Sequence, residues 1–417
     1  MENQLLNKIK NIFIKFNYFQ NNSIPLCAAE NILSDFCKIP LNGNLQERYI
    51  MGSSYSYRSD ENFIGSEYLL PFYDAISEVC SLLFNSKYAD ARTLSGMNCL
   101  TTVLMSMTNI GDKILILPNS WGGHPSVLPV CERLGLKVFE TPYLLDDYDL
   151  NYDLLNKLLN DQQIKFIFLA PSDLIKPMSI EKINLEGRIL LYDVSQIMGL
   201  IAGGIVDNPL KYHSKTIIFG GTHKTLPGPA SGLVLTNDDS LGQKLDHDIN
   251  PTFLRHSQMH QIVSLLFSLL EMLYFGKTYS KSIINTSQNL GKFLSNYNFD
   301  VANVEGKFSF THQIFIHCTE EKMNTLFRNS LKYGVTLNKK NKPLFRGHGI
   351  RLGTQEIARY NWNFSALRLV SNILHELSYE FPNEKKIVEL KKMLPLKNIS
   401  YTFPNSIVKE FKEIFSH

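Results

Sequence analysis

Between Lys113 and Thr236 the chain repeats one pattern, and that pattern restricts the fold more than any other feature of the sequence. Short apolar runs occur at Lys113–Leu117 (KILIL), Lys137–Thr141 (KVFET), Lys165–Ala170 (KFIFLA), Arg188–Asp193 (RILLYD), Thr216–Phe219 (TIIF) and Leu233–Thr236 (LVLT). Several are separated by segments of helix length. A strand apolar on both faces needs cover on both faces, and helical crossovers between parallel strands supply it. The pattern predicts an α/β domain with a mostly parallel sheet, whose functional groups gather just after the strands end.

The flanks add less regular material. The strongest apolar stretch, Ile262–Phe275 (IVSLLFSLLEMLYF), carries Glu271 and is too short to span a bilayer, so a buried helix is expected and no membrane role. Beyond it, strands at Gln313–His317 and Gly349–Leu352 fall between helices at 320–333, 364–380 and 385–393, a smaller α+β domain. The expected division is an N-terminal helical segment over 1–50, a large α/β domain over 51–280 and a small C-terminal domain over 281–417. Near the start, LLNKIKNIFIKF (Leu5–Phe16) interleaves lysines with Leu5, Ile9, Ile12 and Phe16, an amphipathic helix rather than a secretion signal. Such a face could touch a membrane surface, but packing on the body of the protein or on a partner subunit is the expectation. The tail from Leu394 to His417 is not placed by its letters.

Charge and cysteines narrow the function classes. With 42 basic against 39 acidic residues the net charge is +3, too little to hold a nucleic-acid backbone. Cys27, Cys37, Cys80, Cys99, Cys131 and Cys318 are scattered, without a CxxC pair or metal-ligand spacing, so reduced thiols, a cytoplasmic setting and no metal are expected.

Two strand ends carry chemistry. Tyr192-Asp193-Val194-Ser195-Gln196 follows one strand and Gly220-Gly221-Thr222-His223-Lys224-Thr225 the next. Pyridoxal phosphate needs a lysine amine for a Schiff base and a carboxylate to keep its ring nitrogen protonated, and Lys224 and Asp193 could supply both. By themselves the pair could equally be a helix cap and a solvated loop lysine.

The surrounding segments LCAAENI (Leu26–Ile32), LSGMN, NSWGGH, YDVSQIMGLIAGG, GGTHKTLPGPASG and GIRLGT (Gly349–Thr354) occur in the order and approximate spacing of serine hydroxymethyltransferase. The chain resembles that family over most of its length. The resemblance implies the fold-type I architecture of pyridoxal-phosphate enzymes (aspartate aminotransferase-like), with a mostly parallel large-domain sheet and a smaller α+β domain. It implies a homodimer with shared active sites. It also implies roles: Lys224 as the Schiff-base lysine beside His223, Asp193 on the ring nitrogen, His124 stacked on the ring, and Arg351 on the substrate α-carboxylate. Ser95 and Gly96 match the start of a Ser-Gly-Ser phosphate cradle, whose second serine is Met97 here. Asn98 is either a cofactor contact or an ordinary first-turn residue. Thr222 and Thr225 suit a loop close to the cofactor, and Gln196 replaces a family histidine.

Other departures fall in the substrate shell. Where the family has YAEGYPG followed by paired tyrosines, this chain reads SSYSYRSDENF (Ser53–Phe63), which sets Tyr55 at the family's proton-handling glutamate. A phenol of high pKa is not its equivalent, and Asp60 or Glu61 could serve only in a shifted register. Asn62 and Phe63 stand at the paired tyrosines, Ala29 at a serine, and Ala230-Ser231 removes an arginine from GPRGG. Glu67 keeps a following acidic position and reads as structural. Arg255 or His256 could reach a neighbouring subunit's phosphate or lie solvated. The expected function is a pyridoxal-phosphate enzyme acting at Cα of a small α-amino acid, by aldolase or transaldolase chemistry. Folate use is doubtful, and Tyr55 is only a candidate proton carrier. The alternatives are another Cα reaction (decarboxylase, racemase or aminotransferase) or a retired binding subunit.

Overall fold

The computed structural model describes residues 2–52 and 63–416. Every apolar run of the central pattern is a strand. The large sheet comprises β1 (Tyr88–Asp90), β2 (Lys113–Ile116), β3 (Lys137–Glu140), β4 (Phe166–Leu169), β5 (Ile189–Asp193), β6 (Thr216–Gly221) and β7 (Gly232–Thr236). Their spatial order is β1-β7-β6-β5-β4-β2-β3. Only β7 runs against its neighbours. The loop from β6 to β7 is too short for a crossover and allows only reversal, and Lys224 sits on it. The sequence pattern missed β1. Three residues ending in a buried aspartate carry no periodicity, and Asp90 is made tolerable by Tyr88 Oη, which donates to it at 2.8 Å, and by Arg92, which also pairs with Asp246 at 2.7 Å.

Strand order decides where the site forms. The chain leaves β2 toward β3 on one side and returns to β4 on the other, so a crevice opens at the carboxyl ends of β2 and β4. The segments after those strands carry His124 and Asp173.

The helix foreseen as a short apolar stretch is 38 residues long, α2 (Met259–Asn296, with α1 at Glu2–Asn22). Its second half, rich in Lys, Ser and Asn, is amphipathic, so the continuous apolar run ends before the helix does. By length and composition it could cross a membrane, yet 67% of its most apolar window is buried inside the protein. Glu271 on this helix is matched by Arg359 and by Ser34 at 2.7 Å. Close approach is set at Gly203, where a Cβ would lie 2.6 Å from the Gly276 carbonyl and 2.2 Å from Ser280 Oγ.

The helix leads into a four-stranded antiparallel sheet ordered β8-β9-β11-β10, from β8 (Asp300–Val301), β9 (Gln313–His317), β10 (Asn338–Lys342) and β11 (Gly347–Gly353). Ile314, Ile316, Ile350 and Leu352 face helices Glu320–Tyr333 and Phe364–Leu377. By strand alternation Phe315 and Arg351, paired in register, face the other way, toward Tyr148 and Ile175 of the large domain. The tail packs on its own chain: Phe403 and Phe411 lie edge-on to Phe36 at 4.8 and 5.3 Å. Helix α1 is held near its end, where Lys397 Nζ donates to Gln20 O at 2.6 Å, while Leu5, Ile9, Ile12, Phe13 and Phe16 are exposed.

Candidate active site

Asp193 ends β5 and is buried. Its Oδ1 accepts from the Ser195 amide at 2.8 Å and from the Ser195 hydroxyl. Ser195 Oγ in turn accepts from the Gly221 amide at 2.8 Å, which locks the ends of β5 and β6 together. That closeness requires Gly220, with φ +156°, because a Cβ there would meet Ser195 Oγ at 2.4 Å. Both hydrogen bonds fall on Oδ1, so Oδ2 can accept a ring N–H.

The lysine loop is fixed from several sides. Thr222 donates through Oγ1 to Pro229 O at 2.6 Å, and Thr225 donates to Gln196 O at 3.0 Å while accepting from the Gly199 amide at 3.1 Å. The two threonine hydroxyls therefore brace the loop itself. Gln196 is held by Gln313 at 2.9 Å. Asn31 donates to the Lys224 carbonyl at 2.5 Å and to Tyr279 Oη at 2.8 Å. Sequence reasoning noticed the Asn31 segment and gave Asn31 no role, since a contact spanning 193 residues leaves no local trace. Lys224 is half-buried. Burial pushes its amine below the ordinary lysine value, Asp193 opposes that and Arg351 reinforces it.

Opposite lies a cradle. Ser95 caps the helix Gly96–Met107, accepting from the Asn98 amide at 3.1 Å, and its own hydroxyl proton stays available to an anion. Asn98 Oδ1 turns back to the Leu94 amide at 2.9 Å, as a first-turn cap does. Met97 projects outward, so it can offer only its backbone. A Cβ on Gly96 would stand 2.9 Å from the Gly221 amide nitrogen, and one on Gly221 would stand 3.2 Å from the His223 ring. His223 Nδ1 is buried without a partner, and burial together with Lys224 lowers its pKa to about 4. A helix N-terminus, a free hydroxyl and an orphaned imidazole nitrogen fit a phosphate, as Asp193 and Lys224 fit the pyridine and aldehyde ends of pyridoxal phosphate.

His124 follows β2 at the crevice. Its amide donates to Ala170 O at 2.8 Å, and its Nδ1 accepts from the Ser126 amide at 3.3 Å. Burial keeps its pKa below the usual histidine value; Asp193 works against this, whereas Lys224, Lys340 and Lys342 add to it. A neutral ring is suited to lie against a flat cofactor.

Arg351 reaches across from β11. Nη1 donates to Ser172 O and to Asp173 Oδ1, both at 2.8 Å, and Nη2 donates to Asn338 Oδ1 at 2.9 Å. Of five guanidinium donors, the Nε–H, which has no partner among the described residues, and one N–H of Nη2 remain, enough for a carboxylate. Asp173 also receives Lys340 at 2.8 Å and Lys342 at 2.6 Å. Burial alone would raise the Asp173 pKa; the three cations outweigh it and hold the group at about 2. Neither lysine nor Asp173 was singled out in the sequence, although the spacing of Asn338, Lys340 and Lys342 places them on one face of a strand.

Tyr55, with Asp60, Glu61 and Asn62, lies outside the described residues. Glu67 accepts from the Gly65 amide at 2.8 Å and caps a local turn. His256 stacks on Tyr49 with centroids 4.5 Å apart, and Arg255 is exposed.

A parallel sheet with one reversed strand, a lysine on the reversing loop, an acid on the neighbouring strand and a phosphate cradle define a fold-type I pyridoxal-phosphate enzyme. The sequence model of serine hydroxymethyltransferase matches residues 3–374, and the chain belongs to that family. It is 30% identical to the serine hydroxymethyltransferase of Picrophilus torridus, covering 98% of this chain and 96% of that protein. It is 28% identical to the one from Sulfolobus acidocaldarius, covering 92% and 91%. Among solved structures, L-threonine transaldolase from Pseudomonas fluorescens superposes with a TM-score of 0.90 at 20% identity, covering 99% of this chain and 97% of that one.

Proposed function

We propose that the protein makes or breaks the Cα–Cβ bond of a small α-amino acid, as an aldolase or transaldolase that does not use folate. The observation carrying this is the convergence of Lys224, on the loop after β6, with Asp193 fixed by Ser195 at the end of β5 and Arg351 reaching across from β11 with two N–H groups unspent. When bound, pyridoxal phosphate supplies a ring that takes up the electrons of a bond broken at Cα. Asp193 Oδ2 would keep a proton on the ring nitrogen, with Ser195 fixing the carboxylate. The Ser95 hydroxyl, the amides of the following turn and His223 would hold the phosphate. Arg351 would hold and orient the α-carboxylate through its two remaining N–H groups. Lys224, its basicity lowered by burial, would be the amine that holds the cofactor's aldehyde end and, once released, a base of suitable strength to move a proton at Cα. The sequence sets Tyr55 where the family has the glutamate of folate-dependent transfer, which supports a reaction without that cofactor. The solved transaldolase of the same fold is consistent with aldehyde exchange.

The working unit is a homodimer. Helix α1 presents Leu5, Ile9, Ile12, Phe13 and Phe16 with no cover from its own chain, and a second copy is the occupant we assign to that face.

The test is product analysis by chiral chromatography, with glycine plus acetaldehyde and with threonine plus a second aldehyde, each with and without tetrahydrofolate. β-Hydroxy amino acid formed without folate, and lost in Lys224→Ala, is the expected result. Carbon dioxide, racemised substrate or an oxo acid as sole product would transfer the protein to another Cα reaction.

A further inference from the structure

Three cations surround a single carboxylate beside the reaction centre. Asp173 is fully buried, and Arg351, Lys340 and Lys342 are 5%, 16% and 11% exposed. Among the described residues this leaves a surplus of two positive charges, three less one, in a place where unpaired charge is costly. One α-carboxylate on Arg351 matches one of the two. The other has no counterpart in the chemistry so far assigned.

The placement shows which groups are left over. Asn338, Lys340 and Lys342 alternate along β10 and pair in register with Arg351, Gly349 and Gly347. Asn338 is spent on Arg351, but Lys340 keeps two of its three donors, and Lys342, bound to Asp173 and to Asn119 at 3.0 Å, keeps one. Both lysines share Asp173 with Arg351, the group assigned to the α-carboxylate, so they border the substrate side of the site.

We propose that Lys340 and Lys342 form an anion subsite for a second acidic group, a carboxylate or a phosphate, on the side-chain or aldehyde half of the substrate. This rests on the Cα–Cβ reading above. The substrate class becomes a β-hydroxy amino acid with an acidic terminus, or the acidic aldehyde that corresponds to it. The aldol step itself is balanced: the Cα–Cβ bond breaks, the hydroxyl proton leaves with a base as the aldehyde carbonyl forms, and Cα takes a proton in return.

The experiment compares acceptors on the holoenzyme with glycine: 4-oxobutanoate, glycolaldehyde phosphate and the neutral butanal. Wild type should favour at least one anionic aldehyde over butanal by roughly tenfold to a hundredfold in kcat/KM, the worth of one or two charged hydrogen bonds. In Lys340→Met/Lys342→Met that ratio should fall toward one, and in Lys340→Arg it should persist. Which anionic aldehyde is preferred separates a carboxylate from a phosphate source. In parallel, succinate and inorganic phosphate are titrated calorimetrically into holoenzyme saturated with glycine, with binding of one of them expected in wild type and not in the double variant. If the double variant does not fold, Lys342→Gln alone should lower the ratio about threefold or more. A ratio near one in wild type, or one unchanged by the substitutions, overturns the subsite. If no aldehyde reacts, butanal included, the Cα–Cβ reading fails, while the glycine-saturated titrations still decide whether the lysines hold an anion.

Discussion

At the scale of single residues the site depends on absences as much as on functional groups. A methyl on Gly96 would press on the amide nitrogen of Gly221 at 2.9 Å and on its Cα at 3.1 Å, both backbone atoms that cannot swing aside. Gly96→Ala is therefore expected to weaken pyridoxal-phosphate binding about tenfold or more, as read by cofactor titration of the apoprotein. Lys340 sets a pH limit. Burial and Arg351 lower its pKa to about 8, against the pull of Asp173 and with Lys342 adding to the lowering. An anion is held by the protonated amine, so its affinity is full below about pH 8 and lost above it. KM for an anionic aldehyde should rise through that range in wild type and not in Lys340→Arg, whereas KM for butanal should not follow the same curve. Lys224, Asp193, His124 and Arg351 could be singled out in the sequence because a strand end or a family motif marks each. Asp173 and Lys342 could not: one lies in a loop and the other on an edge strand 169 residues away, and only the packing of two domains makes them partners.

At the scale of elements, α1 shows how far periodicity reaches. Its apolar spacing reveals an amphipathic helix, and the structure adds that its own chain leaves that face bare, with Leu6 64% and Phe13 62% exposed. Removing residues 2–22 should convert the proposed dimer to a monomer in light scattering, with the thermal transition shifted little. A dimer that survives the truncation would assign the interface elsewhere. The long helix α2 teaches the reverse. Its apolar half is obvious, yet its amphipathic half continues the helix because two different cores claim successive stretches of it, one from Met259 to Ile283 and the other at Leu290, Phe293 and Leu294. Window hydropathy registers neither claim.

For the whole molecule, one buried cluster links both domains and the tail. Glu271 on α2 receives Arg359 and Ser34, and Thr402 from the tail also donates to it, while Arg359 donates to Tyr401 O at 2.8 Å. Arg359→Met would leave a carboxylate in the core without its cation, at a cost of about 3–5 kcal/mol in denaturant unfolding. His312 supplies an acid limit. It is fully buried, desolvation lowers its pKa to about 3, and its Nε2 lies 3.1 Å from Ala28 O. The unfolded chain binds a proton near pH 6.5 that the native chain refuses, so stability must fall as pH drops from about 6.5 toward 3. His312→Gln, which keeps a donor for Ala28 O, should flatten that part of the pH profile of the melting temperature.

The sequence by itself determined six strands of the central sheet, the loop that carries the lysine, the acid one strand away and the family they indicate, but not that this loop reverses the chain. Those features are local: alternation of apolar runs, glycines where the backbone must approach closely, and charged residues at strand ends all operate over a few neighbours. Tertiary structure alone decided the edge strand β1, the reach of Arg351 into the large domain, the bracing of the lysine loop by Asn31 and the gathering of three cations on Asp173. Each of these depends on contacts between residues far apart in the chain, whose energy comes from burial and charge pairing created only when the chain has folded.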